Sequence, residues 1–249
     1  MCSSDLCFGL NVGVAQADDI NANTWSAIAK LPDLGGSWLY DMHRTQVAGN
    51  DPIPLTPAFA KRMAEIHKVN IGGGDVPARA YHCMPRGVPE VMELVTRLYE
   101  FVVTPGLVTI IPQNNEVRFV YTDGRAHPTN LKPTYNGHSI GHWEETGGAK
   151  TLIIDSVGMA AGHDMFYGFP SGGPMHVTER LRLIAPSKLE IGKTIEDPVT
   201  LTEPYSYART YTRHREWTVL EEICLQNNRD LSDAGRQQFD LTPPPELKK

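Results

Sequence analysis

The chain has no run of lysines and arginines, no long apolar stretch and no cofactor fingerprint. Each absence excludes a class of function. Without a basic cluster to release counterions, and with a formal charge of −6, a nucleic-acid backbone is not an expected partner. Acidic membrane surfaces are disfavoured for the same reason. No stretch approaches about 18 uninterrupted apolar residues, so membrane insertion is not expected. Nucleophilic hydrolase motifs are missing: there is no Gly-x-Ser-x-Gly elbow, no Ser-x-x-Lys and no convincing Cys–His pair. The triple glycine 72–74 lacks a following Gly-Lys-Ser/Thr and reads as a turn rather than a phosphate loop. Only four cysteines occur, none in a CxxC pair, which excludes a zinc ribbon.

What is present is a 249-residue chain of ordinary composition, 41% hydrophobic and 21% charged, enough to bury a core. All-β barrels and sandwiches reach this length as single units. Phe8 to Ala17 is apolar and ends Ala15-Gln16-Ala17, an A-x-A cleavage pattern without the usual positive start. Residues 1–17 therefore read as the remnant of an export signal, the alternative being a plain tail. Residues 18–249 read as a single β-rich domain, expected in the periplasm or secreted. Cys2 and Cys7 fall in the leader, leaving Cys83 and Cys224. In an oxidising compartment these two could form a disulfide closing about 140 residues, contributing on the order of 4–5 kcal/mol in the chain-entropy model. Two unrelated buried thiols are the other possibility.

Residues 25–31 suit a short helix stopped by Pro32. Thr56-Pro57 opens a better one, with Thr56 as N-cap and Pro57 at the first helical position. A third is expected from Pro89 to about Tyr99, where Val91, Leu94, Val95 and Leu98 follow helical spacing. From Leu107 the texture changes to short alternating runs: 107–112, 116–122, 138–144, 151–157, 175–184, 188–196, 205–213 and 217–225. This cadence predicts a mainly β protein, an antiparallel curved sheet or lipocalin-like barrel with two or three short N-terminal helices.

Two carboxylates break the alternation. Glu179 shares a strand face with Val177, Leu181 and Leu183, and Glu221 with Trp217, Val219, Ile223 and Leu225. An acid among aliphatics is paired, protonated or at work. Asp155, alternating with Ile153 and Val157, is a third. Glu179, Glu221, Asp155 and His138 are the candidate catalytic groups, sharing a cavity in which neighbouring acids push each other's pKa upward. The competing picture pairs each acid with an arginine. His138 and His142 have HxxxH spacing, which on a strand separates them by about 13 Å, too far for one ion. Asp123-Gly124 reads as a hairpin turn that projects Arg125 and His127. Substrate contacts are assigned to Arg125, Arg118, His127, Tyr121, His176 and Trp143.

The motifs YTDGRAHP (121–128), NGHSIGHWE (136–144), TLIIDSVGM (151–159), MHVTERLRL (175–183), KTIEDP (193–198) and EEICLQNNRD (221–230) are similar to those of a widespread family of exported bacterial proteins. That family is abundant in sphingomonads and related soil and aquatic bacteria, and most members lack an assigned function. The resemblance covers about residues 30–230. It implies that Cys83, in its Cys-x-Pro-x-Gly loop, and Cys224 belong to the mature protein. It places Asp123, Arg125, His127, His138, Trp143, Asp155, His176, Glu179, Arg180, Glu221 and Asn227 at motif positions. The family's Trp-Glu-Gly-Asp turn is replaced here by a longer stretch, Glu144 to Lys150.

The expected function is a cofactor-independent acid–base enzyme, a lyase, isomerase or hydratase, acting on a small hydrophobic or aromatic molecule in the barrel cavity. No cofactor is expected. An exported lipocalin-like binding protein for a hydrophobic ligand is one alternative. A metal-assisted hydrolase is another, needing His138, His163 or His176 to converge on one ion.

Overall fold

The computed structural model describes residues 22–41, 52–71, 85–93, 97–113, 116–146, 148–162, 164–166 and 169–222. Cys83, Cys224, His163, Asn227 and the expected leader lie outside them. Nine strands close into a barrel: β1 (Ser37–Tyr40), β2 (Leu98–Thr104), β3 (Leu107–Pro112), β4 (Arg118–Tyr121), β5 (His138–Thr146), β6 (Ala149–Val157), β9 (His176–Ala185), β10 (Lys188–Glu196) and β11 (Tyr205–His214). The order round the wall is β1-β11-β10-β9-β6-β5-β4-β3-β2. A separate ribbon pairs β7 (Asp164–Phe166) with β8 (Phe169–Pro170). No helix among the described residues is long and apolar enough to cross a membrane.

The alternation read from the sequence sets the wall. Along β10, Leu189, Ile191, Lys193 and Ile195 are buried while the residues between them are less so. Val177, Glu179 and Leu181 do the same on β9. Facing rows from β3, β4 and β6 add Val108, Ile110, Val120, Leu152 and Ile154, all at most 1% exposed. At about 25 cal/mol per Å² of apolar surface removed from water, such rows are the main drive to closure.

Two α-helices are present among the described residues. α1 (Trp25–Ile28) is capped by the Thr24 hydroxyl, which accepts from Ala27 N at 3.2 Å. α2 (Pro57–Ile71) starts at the predicted proline. The Thr56 hydroxyl donates to the Val199 carbonyl at 3.0 Å, tying the start of α2 to the loop before β11.

Four expectations are corrected. The helix expected over 89–99 is a 3-10 turn, Glu90–Met92, followed by β2. Tyr99 and Phe101 face the core there, and β2 bridges β1 and β3. The strand expected over 217–225 is absent in residues 217–222. β11 already pairs β10 on one side and β1 on the other, so no barrel edge remains for it. Trp217 instead stacks on His214 at 3.7 Å. Asp123-Gly124 is not a hairpin turn: it starts a crossover, and β4 and β5 run parallel. The wall is therefore mixed rather than an antiparallel meander. The longer Glu144–Lys150 stretch leaves the β5–β6 register unbroken, from His138↔Val157 to Thr146↔Ala149.

Segment 85–93 enters the barrel. Val88, Val91 and Met92 are buried in the core cluster, and Tyr211 Oη donates to the Met92 carbonyl. Gly87 holds the entry with φ +71°, and a Cβ there would lie 2.2 Å from the Tyr135 carbonyl oxygen. Glu116 receives the Arg86 and Gly87 amides at 2.8 and 3.1 Å.

Candidate functional site

The residues expected to share one cavity are divided by the barrel wall. In the register of β6 against β9, Ile154 stands opposite Glu179 and Asp155 opposite Thr178. One step along a strand reverses the face, so Glu179 points inward and Asp155 outward. Arg118, Ser139, Ser156 and Trp143 are inward with Glu179; Tyr121, His138, Asp155 and His176 lie on the outer side. Glu221 joins neither set. It is exposed beyond β11, which contradicts its expected inward position.

Inside, Glu179 is 1% exposed and ion-paired to Arg118, with Lys193 Nζ 3.8 Å from its other oxygen. Lys193 bonds Glu93 at 2.5 Å and the Pro89 carbonyl at 3.1 Å. Arg209 Nε and Tyr207 Oη also reach Glu93, at 3.3 and 3.1 Å. Burial raises the Glu179 pKa, but the charges of Arg118 and Lys193 outweigh it and hold the carboxyl below its ordinary value. Burial and the Glu93 charge push the Tyr207 phenol well above 10. An acid so engaged is ionised and surrounded. It is a structural partner of arginine, the competing picture drawn from the sequence. Glu93, Lys193 and Arg209 were not anticipated, although Lys193 between Ile191 and Ile195 breaks alternation just as Glu179 does.

Outside, the side chains form a continuous hydrogen-bonded line. Glu196 Oε2 lies 2.7 Å from His176 Nδ1, and His176 Nε2 lies 3.1 Å from Asp155 Oδ1. The same Asp155 oxygen is 3.1 Å from His127 Nε2, and His127 Nδ1 is 2.8 Å from His138 Nδ1. His138 stacks on Tyr121 at 5.3 Å, and the Arg125 guanidinium also lies over the Tyr121 ring, 3.9 Å from its centre. Arg125 is also bonded to Asp123, at 2.5 to 2.9 Å, so it is fixed in place rather than open as a clamp. Strand pairing explains the convergence: His176 stands opposite Glu196, and His138 opposite Val157 beside Asp155. His127 comes from the β4–β5 crossover. Glu196 was not singled out as a site residue, though it lies in the KTIEDP motif.

The line constrains protonation. His176 has a carboxylate on each ring nitrogen, so both nitrogens donate and the ring is a cation. Burial lowers its pKa, but the hydrogen bonds to Glu196 and Asp155 reverse this and raise it above 6.5. On the other arm, Asp155 accepts from His127 Nε2–H. With His127 neutral, its Nδ1 lone pair accepts from His138 Nδ1–H; with His127 protonated, the direction of this 2.8 Å bond reverses. The first arrangement leaves the lone pair of His138 on Nε2, which has no hydrogen-bond partner among the described residues. Burial lowers the His138 pKa from 6.5, and positive charge on His127 or Arg125 lowers it further, so the neutral ring is favoured near pH 7.

His142 faces the same side but bonds Glu144 at 3.1 Å, and Glu144 bonds Arg180. Among the described residues no group of three or more His, Cys, Asp or Glu could hold a metal ion. His138 and His176 are joined through His127 and Asp155 instead. Comparison of the chain with family models, curated proteins and solved structures finds no match in any of the three.

Proposed function

We propose that the protein is a cofactor-independent acid–base enzyme acting on a small, partly hydrophobic or aromatic molecule, and that its base is Nε2 of His138. The observation that carries this reading is the hydrogen-bonded Asp155–His127–His138 line, which with a neutral His127 leaves Nε2 of His138 unprotonated. A half-exposed imidazole below its usual pKa, with its free nitrogen unprotonated, is suited to remove a proton near neutral pH. When Nε2 takes the proton, the positive charge is shared through the Nδ1–H···Nδ1 bond to His127 and offset by Asp155. His176, held cationic by two carboxylates, fixes the Asp155 oxygen from the other side. Two imidazoles with pKa values pushed apart are the arrangement expected of paired acid and base functions. Reactions that remove and return one proton (lyase, isomerase or hydratase chemistry) fit this equipment. The motif resemblance and the A-x-A leader extend the proposal to an exported enzyme that meets its substrate outside the cytoplasm.

The test is proton exchange. Candidate carbon acids are incubated with the protein in D2O and followed by mass. Wild type should wash deuterium into at least one compound, His138→Gln should abolish it, and Trp217→Ala, remote from the line, should retain it. Exchange that persists in His138→Gln refutes the assignment.

The aliphatic barrel interior favours a second reading, a binding protein for a hydrophobic ligand. In that case ligand uptake would be the same in wild type and in His138→Gln, and no exchange would occur in either.

A further inference from the structure

The first strand of the β9–β10 hairpin ends in Leu183-Ile184-Ala185, and Pro186 opens its turn, so the tip carries apolar side chains in water. Ile184 is 49% exposed there, and Ala185 and Pro186 are exposed beside it. Together with Asp33 from the loop before β1, and with Arg213, Arg215 and Glu216 at the exit of β11, these residues line an open groove of about 810 Å³. That volume lies within the roughly 300–1,000 Å³ usual for small-molecule sites, which combine an apolar lining with a few polar groups. The groove is at the far end of the ten-residue β9 from His176, about 30 Å along the strand.

The polar side of the groove is unevenly matched. Arg213 is clamped: its guanidinium lies 4.4 Å from the Trp38 ring centre, Nη1 donates to Asp33 Oδ2 at 3.2 Å, and Nη2 donates to the Asp33 carbonyl. Arg215 Nη2 donates to the same Oδ2. Asp33 Oδ1 accepts from the Gly35 amide at 2.9 Å. Glu216 lies 3.3 Å from His214 Nδ1 and pairs with neither arginine. One carboxylate therefore serves two guanidinium groups. The Arg215 side chain is 60% exposed, and of its five N–H donors only one has a partner among the described residues, so a solute can reach the others.

We infer that the groove binds an amphipathic carboxylate, its head on the open edge of Arg215 and its apolar body against the Ile184–Pro186 tip. A carboxylate matches a guanidinium edge with two parallel N–H···O bonds and supplies the second anion that the arginine pair lacks. An alcohol of the same length gains the apolar contact alone, and an alkylammonium meets two cations. This site does not rest on the acid–base reading of the His138 line.

Sodium octanoate is titrated into the full chain at constant ionic strength, with octanol and octylammonium as probes of equal length, and the methyl NMR signals of Leu183 and Ile184 are followed. Octanoate should shift both saturably, with half-saturation about fivefold below that of octanol, the gain expected of an exposed ion pair. Arg215→Gln, at an exposed position, should remove that advantage and leave octanol unchanged, while Ile184→Ser should weaken both. No saturable shift by octanoate in wild type, equal half-saturation for octanoate and octanol, tighter binding of octylammonium, or an advantage that survives Arg215→Gln overturns the inference. The first three of these readings use wild type, so a poorly folding variant does not protect it.

Discussion

Replacing Glu179 by glutamine removes one charge from the barrel interior with almost no change in volume. Arg118 and Lys193 would then sit 1% and 2% exposed with their shared carboxylate gone. Breaking a buried pair from one side costs about 3–5 kcal/mol, because the remaining cation is left uncompensated. In a chain of this size about 1 kcal/mol corresponds to roughly 2–4 °C, so the melting midpoint should fall by about 6–20 °C. The pH dependence has a definite sign. Glu179 is depressed below its ordinary 4.5, so its contribution is present above that value and is lost as pH falls through the lower folded value. Glu179→Gln should therefore flatten the acid side of the stability curve. Urea unfolding of wild type and variant between pH 3 and pH 7 measures both effects. Arg118→Met/Glu179→Leu, which removes both charges, should recover much of the loss. A Glu179→Gln cost under about 1 kcal/mol at pH 7 would refute the view that this acid is a buried structural partner.

Other consequences follow from the outer line and the barrel entry. Asp155→Asn should fold normally but slow any exchange reaction on the order of 10²–10⁴-fold, since the amide no longer enforces the His127 tautomer; a rate within threefold of wild type speaks against the relay. The rate should be bell-shaped in pH, its acid limb below 6.5 from His138 and its alkaline limb above 6.5 from His176, and His176→Asn should remove the alkaline limb alone. His176 is raised, so its stabilising contribution is complete below 6.5 and is lost as pH rises through the folded value, which a urea series above pH 6.5 detects. Gly87→Ala should cost about 2–4 kcal/mol, because a Cβ 2.2 Å from the Tyr135 carbonyl oxygen at φ +71° demands a backbone shift; an unchanged urea midpoint would contradict that packing.

Strand phase was legible because a period of two survives in any half-buried strand. Glu179 was found that way and is buried as expected. Phase does not say which face is inside. On β6, Thr151 to Ile154 are all buried, so Asp155 looked like an inward acid although it stands on the outer surface. All five residues of the outer line, Glu196, His176, Asp155, His127 and His138, nevertheless lie in motifs singled out from the sequence; what the sequence lacked was the fold that separates them from Glu179. Glu221 misled for a different reason. Its segment alternates like a strand, but a strand needs a free edge, and closure of β1 on β11 is a long-range fact that no local pattern records. β1 has only four residues, and β2 begins inside a run that also fits helical spacing. Asp123-Gly124 carries a turn signal without information on the partner strand, so the parallel β4–β5 pair could not be read from it.

The proposed chemistry at His138 depends on which of its ring nitrogens is bare. Nitrogen-15 NMR of the histidine side chains at pH 7 reads this directly. The prediction is a neutral His138 protonated at Nδ1 with Nε2 unprotonated, a neutral His127 protonated at Nε2, and a cationic His176. A His138 that is cationic, or protonated at Nε2, would contradict it.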